Sequence, residues 1–313
     1  MASAMDYTSS SQGVKCGPSP RTDNINYNCI DNYIIHLTKY NVATAKIKTA
    51  VIISDLHCGS TVGLLPPDFS TEEGNEIRQN PLQKWLWECW IYAHEYKTKL
   101  LGKDPHCLIV NGDCIEGNHH RTIEIVTPNE GEHLRIAEAV LGRVCAQASK
   151  SYFVKGTECH VKGYETVLGK VCKAEKNPET QIPIFDRLDL NIMGNLMSVR
   201  HHFPTTSRSY LEASQHTIQL GNAVNEAVRA GDPAPTILVG AHRHRTGHYC
   251  DGNRLTVVTG AWQGLTRFGY KVVPDGRPCP SIYILDWRNK KEGELPEVHF
   301  RSFNPPRPKS VQV

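Results

Sequence analysis

The sequence lacks the features that mark a membrane-spanning, secreted or strongly polyanion-binding chain. No run of about 18 apolar residues occurs, so no membrane span is expected. The opening MASAMDYTSSSQ has no basic segment followed by an apolar one, so no signal peptide is read. Charge of one sign is also missing: 35 Lys and Arg stand against 32 Asp and Glu, a net of +3. A dominant nucleic-acid footprint is therefore not written in the bulk charge. There is no C-x-x-C pair, and the 11 cysteines are an odd number. Cys89, Cys107, Cys145 and Cys172 fall inside apolar or helical runs, which reads as reduced core thiols of a cytoplasmic protein rather than a disulfide frame. What remains is a globular composition, 39% apolar and 21% charged, with 15 histidines whose positions carry the information.

Residues 1–45 are rich in Ser, Asn, Thr and Tyr. They are expected to form an N-terminal arm, flexible or weakly docked, with a short helix over Cys29 to Tyr40. Residues 46–303 read as one domain and 304–313 as a disordered, basic, proline-rich tail. Within the domain, short apolar runs predict strands at Thr49–Ser54, Cys107–Asn111 and Ser151–Lys155. A long loop spans Gly59 to Asn80. Helices alternate with the strands at Asn80–Leu101, Glu130–Ser149 and Tyr164–Lys176, the first opened by an Asn80 cap and Pro81. The second half is strand-rich, at Leu188–Ile192, Leu196–His201, Thr236–Gly240, Arg254–Thr259 and Ser281–Trp287, with one long helix from about Ser207 to Ala230. The order argues an α/β layered domain.

Five strands each deliver a candidate ligand just past their carboxyl ends. They run into Asp55-Leu56-His57, Gly112-Asp113, Gly156-Thr157-Glu158-Cys159-His160, His201-His202 and Ala241-His242-Arg243-His244. In layered α/β folds that edge of a sheet is where sites form. A lone strand-end Asp or His is more often a cap, but five such units are hard to reconcile with capping alone. Carboxylate plus imidazole suits Zn, Mn, Fe, Ni or Co rather than a soft thiolate site. If the D-L-H and H-R-H units are extended, residues i and i+2 share a side, and each pair aims into one place. Six ligands exceed what one tetrahedral ion needs, so two ions sharing Asp113 are expected.

The segments SDLHCGS, VNGDCIEG, VKGTECH, VRHHFP and VGAHRHR, in that order, resemble the calcineurin-like metallophosphoesterase superfamily. SDLHCGSTVGL, NGDCIEGNHH and the later AWQGL resemble its phage- and prophage-type members. The resemblance implies an α/β/β/α fold, a layered β-sandwich flanked by helices. It implies hydrolysis of a phosphate ester by a hydroxide activated between two divalent ions of Mn, Fe, Zn, Ni or Mg. Asp55, His57 and His244 would hold the first ion, His201 and His242 the second, and Asp113 would bridge them. His202 is the rival of His201. The family's usual Gly-Asn-His is broken here, with Thr157 where an Asn ligand is expected. Thr157, Glu158 or His160 is left to fill that place. His160 is the candidate acid for the leaving group, and His119 and His120 are alternatives for contacting phosphate or the leaving group. Arg121, Arg243 and Arg245 are candidates to orient phosphate, and Glu116 and Glu158 to support the ligands. The expected partner is a phosphate-ester substrate, with nucleic acid as one class of it.

Overall fold

The structure, a computed structural model, describes residues 47–204, 211–272 and 277–305. The expected arm, its Cys29–Tyr40 helix and most of the tail lie outside the described residues, as does the expected start of the long helix at 207.

The first sheet has the order β12-β11-β1-β4-β5, with β1 Thr49–Ile53, β4 Cys107–Asn111, β5 Lys150–Val154, β11 Ser281–Asp286 and β12 Glu297–Ser302. Strands β1, β4 and β5 are parallel, and β11 and β12 complete the sheet antiparallel. The second sheet has the order β6-β7-β8-β10-β9, with β6 Leu188–Ile192, β7 Asn195–His202, β8 Ile237–Ala241, β9 Gly247–Cys250 and β10 Leu255–Val258. Its three central strands are parallel and both edges antiparallel.

Alternation along the strands builds two cores. Ala50, Ile52, Ile109, Val154 and Leu285 of the first sheet pack with Leu190, Met197, Val199, Val239 and Val257 of the second. Val51, Ile53, Leu108, Val110 and Phe153 turn the other way, onto α1 Pro81–Leu101 and α2 Glu130–Gln147 through Leu86, Trp90, Ile136 and Val140. A smaller cluster of Phe203, Leu220, Leu238 and Val258 seats the helix Glu212–Ala230 on the outer face of the second sheet. Strands buried on both faces need continuous apolar sequence, and TAVII, CLIVN and ILVGA are fully buried. The result is the expected α/β/β/α layering.

Helix α1 begins where its sequence directs. Asn80 Oδ1 accepts from the Gln83 N–H at 3.0 Å and Gln83 Oε1 from the Asn80 N–H at 3.1 Å, a reciprocal cap worth about 1 kcal/mol. Gln83 Nε2 also donates to the Ser60 carbonyl, tying the helix to the loop beyond β1. The expected long loop carries a small hairpin, β2 Phe69–Ser70 with β3 Glu76–Ile77. Two further short helices follow β5, α3 Glu158–Val161 and α4 Tyr164–Val171. Helix α4 ends five residues before the expected Lys176. Lys173 takes a left-handed φ of 52°, and the Ala174 N–H reaches back to the Gly169 carbonyl. The long helix Glu212–Ala230 is α5, and Arg267–Val272 forms α6.

Candidate metal centre

The carboxyl ends of β1, β4, β5, β7 and β8 bring their following residues to one place. Groups of donor atoms form there, among them Asp55 with His57 and His244, and Asp113 with His201 and His242. In each group the donor atoms lie within 4.8 Å of one another. Asp55, His57, Asp113 and His201 are buried, while His242 and His244 keep partial exposure.

Convergence does not arise by extended alternation, as the sequence spacing suggests. Strands β1 and β8 stop at Ile53 and Ala241, and the D-L-H and H-R-H units lie beyond them. Asp55, His57, Asp113, His242 and His244 all have left-handed φ, between 44° and 72°. Five non-glycine residues in that region at one site are costly backbone states that the surrounding structure enforces. The middle residues turn inward: Leu56 is fully buried, and Arg243 pairs with Glu212 at 2.6 Å over the Phe203 ring. Arg245 pairs with Glu212 as well, so both arginines are committed to α5 rather than presented to an anion.

On β7 a bulge between Val199 and His202 sets three steps against two on β8, which re-aims the strand's end. His201 points inward. Its Nε2 is 3.0 Å from Asp113 Oδ2, and its Nδ1 donates to the Asn111 carbonyl at 2.7 Å. His202 is exposed, its ring against that of His242. Although burial works against its charge, the Asp113 carboxylate holds the His201 imidazole up at about 10. Asp113, for which burial works in the opposite sense, is held well below the usual carboxylate range by His201.

Thr157, three residues beyond β5, lies against Asp113, His201 and His242. Its N–H donates to Asp113 Oδ1 at 2.6 Å. Its Oγ1 stands 3.1 Å from Asp113 Oδ2, 3.4 Å from His201 Nε2 and 3.2 Å from His242 Nδ1. Glu158 turns out to Lys155 at 2.6 Å. Two glycines permit the close packing here. A Cβ on Gly112, whose φ is 81°, would come 2.4 Å from His201 Nδ1, and one on Gly156 would come 2.3 Å from Asp113 Oδ1.

On the other flank Glu116, a buried carboxylate, accepts from three side chains. His57 Nδ1 lies at 2.9 Å, Gln263 Nε2 at 2.8 Å and His119 Nε2 at 3.1 Å. Burial opposes its charge, but the hydrogen bonds from His119 and His57 keep it strongly acidic. Glu116 fixes the His57 tautomer, leaving Nε2 with its lone pair directed at the site. Burial lowers the His57 imidazole, yet the bond and charge of Glu116 outweigh it and raise the pKa. His244 is driven down to about 4 by burial and by the neighbouring His57.

His160 lies beside the His57 ring at 4.8 Å, and its Nδ1 donates to the Glu116 carbonyl at 2.7 Å. Burial, then the charge of His57, lowers its pKa. His119 follows at 4.3 Å from His160, and the exposed His120 lies beyond it at 5.3 Å. The structure therefore brings His160 to the edge of the donor groups and leaves His120 at the solvent end of the row.

One atom speaks directly to a cation. Asp55 Oδ1 is buried with no hydrogen-bond partner, 3.6 Å from His244 Nε2. An orphaned anionic oxygen facing imidazole nitrogens is costly without a counter-ion. The oxygen and nitrogen donors fit borderline divalent ions. Sequence reasoning missed two supports. Gln263 gives no chemical signal of its own. Glu165 is fully buried and accepts the N–H groups of Cys114 and Gly156, at 3.0 and 2.8 Å, thereby fixing the loops that carry Asp113 and Thr157. Its own carboxyl is pushed up to about 7 by burial and by the charge of Asp113.

No family model matches the sequence, and no curated protein matches it. Solved structures do. Vps29 of Chaetomium thermophilum is 14% identical at TM-score 0.40, covering 84% of this chain and 100% of that one. A protein of Streptococcus pneumoniae described as a predicted phosphoesterase is 10% identical at TM-score 0.33, covering 82% and 98%. A novel archaeal phosphodiesterase is 12% identical at TM-score 0.37, covering 82% and 99%.

Proposed function

We propose that this chain is a dinuclear metal-dependent phosphoesterase acting on a phosphomonoester or phosphodiester. The observations that support it are two donor groups gathered at the same strand ends, each with its own buried carboxylate, and Asp55 Oδ1 left without a partner. Asp55, His57 and His244 would hold one divalent ion and His201, His242 and Thr157 the other, with Asp113 available to both. Two such ions, drawn from Mn, Fe, Zn, Ni or Mg, lower the pKa of bound water and offset charge growing on the phosphoryl oxygens.

The chain's own groups do the rest. Glu116 holds His57 in the tautomer that offers Nε2. His160 gives a proton to the leaving oxygen. Its Nδ1–H is fixed on the Glu116 carbonyl, which leaves Nε2 as the nitrogen that carries the transferred proton. His120, exposed at the end of the row, meets the part of the substrate beyond the scissile bond.

A second reading, DNA or RNA processing by the same site, is favoured by α6. This helix exposes Phe268 and Tyr270 close in sequence to Arg267 and Lys271, shortly after Gln263. Aromatic faces beside cations suit single strands.

The test is hydrolysis of p-nitrophenyl phosphate, bis-p-nitrophenyl phosphate and a labelled single strand, with Mn²⁺ and with a chelator. Metal-dependent turnover of either small ester is expected, and its reduction by orders of magnitude in Asp113→Asn with the fold retained. Bound metal with no turnover of any substrate would instead leave a binding scaffold. Full turnover in Asp113→Asn would remove Asp113 from the bridging place.

A further inference from the structure

Beside the site described above, three side chains that the two donor groups do not use come together. The donor atoms of His119, Cys159 and His160 lie within 4.8 Å of one another. They come from two segments: His119 from the loop after β4, Cys159 and His160 from α3.

Their hydrogen bonds leave one nitrogen of each imidazole free. His119 Nε2 is engaged by Glu116 Oε1 at 3.1 Å, and its Nδ1 is buried with no partner. His160 Nδ1 donates to the Glu116 carbonyl at 2.7 Å, so in the neutral ring Nε2 carries the lone pair. Each imidazole thus has one nitrogen fixed by Glu116 and the other available, the arrangement that orients histidine ligands. The segments are already held against each other. Lys162 Nζ donates to the Asn118 carbonyl at 2.9 Å, and Gly117 packs so closely that a Cβ there would lie 2.6 Å from the His160 carbonyl oxygen.

We propose that His119, Cys159 and His160 form an auxiliary cation site of two imidazoles and one thiolate, selective for zinc-like ions over manganese. A thiolate favours Zn²⁺ or Co²⁺, whereas the carboxylate-and-imidazole donor groups next to it, which contain no sulfur, also accept harder ions. Three protein ligands with an open fourth position suit tetrahedral zinc. On binding, the Cys159 S–H bond breaks, its electron pair goes to the metal–sulfur bond and its proton to solvent; no oxidant or reductant is involved. Occupancy takes the His160 lone pair. The site then works as an inhibitory switch on the proposed hydrolysis, a consequence that rests on the reading of His160 above. The binding itself does not.

Titration of the full chain with Co²⁺ tests the binding. The expected result is a near-ultraviolet thiolate-to-cobalt charge-transfer band, present in wild type and in Asp113→Asn, and lost in Cys159→Ser and His119→Ala. The visible cobalt bands of the oxygen and nitrogen donor groups persist in Cys159→Ser, which shows that this variant is folded. Absence of the charge-transfer band from wild type, or its survival in Cys159→Ser, would overturn the site. For the switch, Zn²⁺ added to Mn²⁺-loaded protein is expected to inhibit hydrolysis at least tenfold in wild type and not in Cys159→Ser. Equal inhibition of the two would overturn it.

Discussion

His57 Nε2 and His244 Nε2 stand 3.2 Å apart at one end of the site, although 187 residues separate them in the chain. His57 Nδ1 is committed to Glu116, so the neutral His57 ring offers a lone pair at Nε2. For that approach to be a hydrogen bond, one of the two nitrogens must carry a proton and the other a lone pair. The orphaned Asp55 Oδ1 lies 3.6 Å from His244 Nε2. Two imidazoles and a buried carboxylate thus meet at this end of the site.

Glu116→Gln tests the support behind that pair. A carboxylate accepts from every direction, whereas a carboxamide turns one end into a donor. Three donors, His57 Nδ1, Gln263 Nε2 and His119 Nε2, converge on Glu116, so at least one of them loses its acceptor. The expected outcome is an affinity for the first Mn²⁺ about 10- to 100-fold weaker, read by calorimetry. An unchanged affinity would mean that the His57 tautomer is set elsewhere.

Thr157→Asn tests the second donor group. A hydroxyl is a weaker neutral ligand than an amide carbonyl, and the Thr157 hydroxyl is already 3.1 Å from Asp113 Oδ2. Asparagine is expected to raise occupancy at the second position, and Thr157→Val to lower it, both read as metal per chain after dialysis against limiting Mn²⁺. Equal metal content in all three proteins would show that residue 157 is not a ligand.

The chain's order made part of this legible. Asp55, His57, Asp113, His201, His242 and His244 each follow or close an apolar run, and such runs can be read without a structure. The route of convergence was not legible, because left-handed turns at Asp55, His57, His242 and His244 replace extended alternation. Supports defined by a distant partner left no local signal: Gln263 is 147 residues from the Glu116 that it contacts. Strands β9 and β12 escaped for another reason. Both are edge strands with largely exposed side chains, so they lack the apolar runs that betray β1 or β8.

Glu165→Gln probes the loops rather than the ligands. The two carboxylate oxygens each accept one backbone N–H, from Cys114 and from Gly156. Glutamine satisfies one and sets its own N–H₂ against the other. A buried donor left unpaired costs about 1–3 kcal/mol, so a lower urea midpoint is expected. Because the loops carry Asp113 and Thr157, metal affinity is expected to fall too. Loss of stability with metal affinity unchanged would limit Glu165 to the fold.

His94 sets an acid limit that has nothing to do with the site. It lies in α1 with its ring 4.2 Å from that of Trp90, and neither ring nitrogen has a partner. Burial, helped by the charge of Lys97, lowers its pKa from 6.5 to about 3. The folded chain therefore keeps His94 neutral where the unfolded chain binds a proton. Its contribution is present above pH 6.5 and is lost as the pH falls towards 3, by up to about 1.4 kcal/mol per unit. His94→Phe keeps a ring against Trp90 and removes the titration. Between pH 6.5 and 4.5 the wild-type chain is expected to lose up to about 3 kcal/mol more than the variant in urea unfolding. Parallel losses in the two proteins would place the acid sensitivity in other groups.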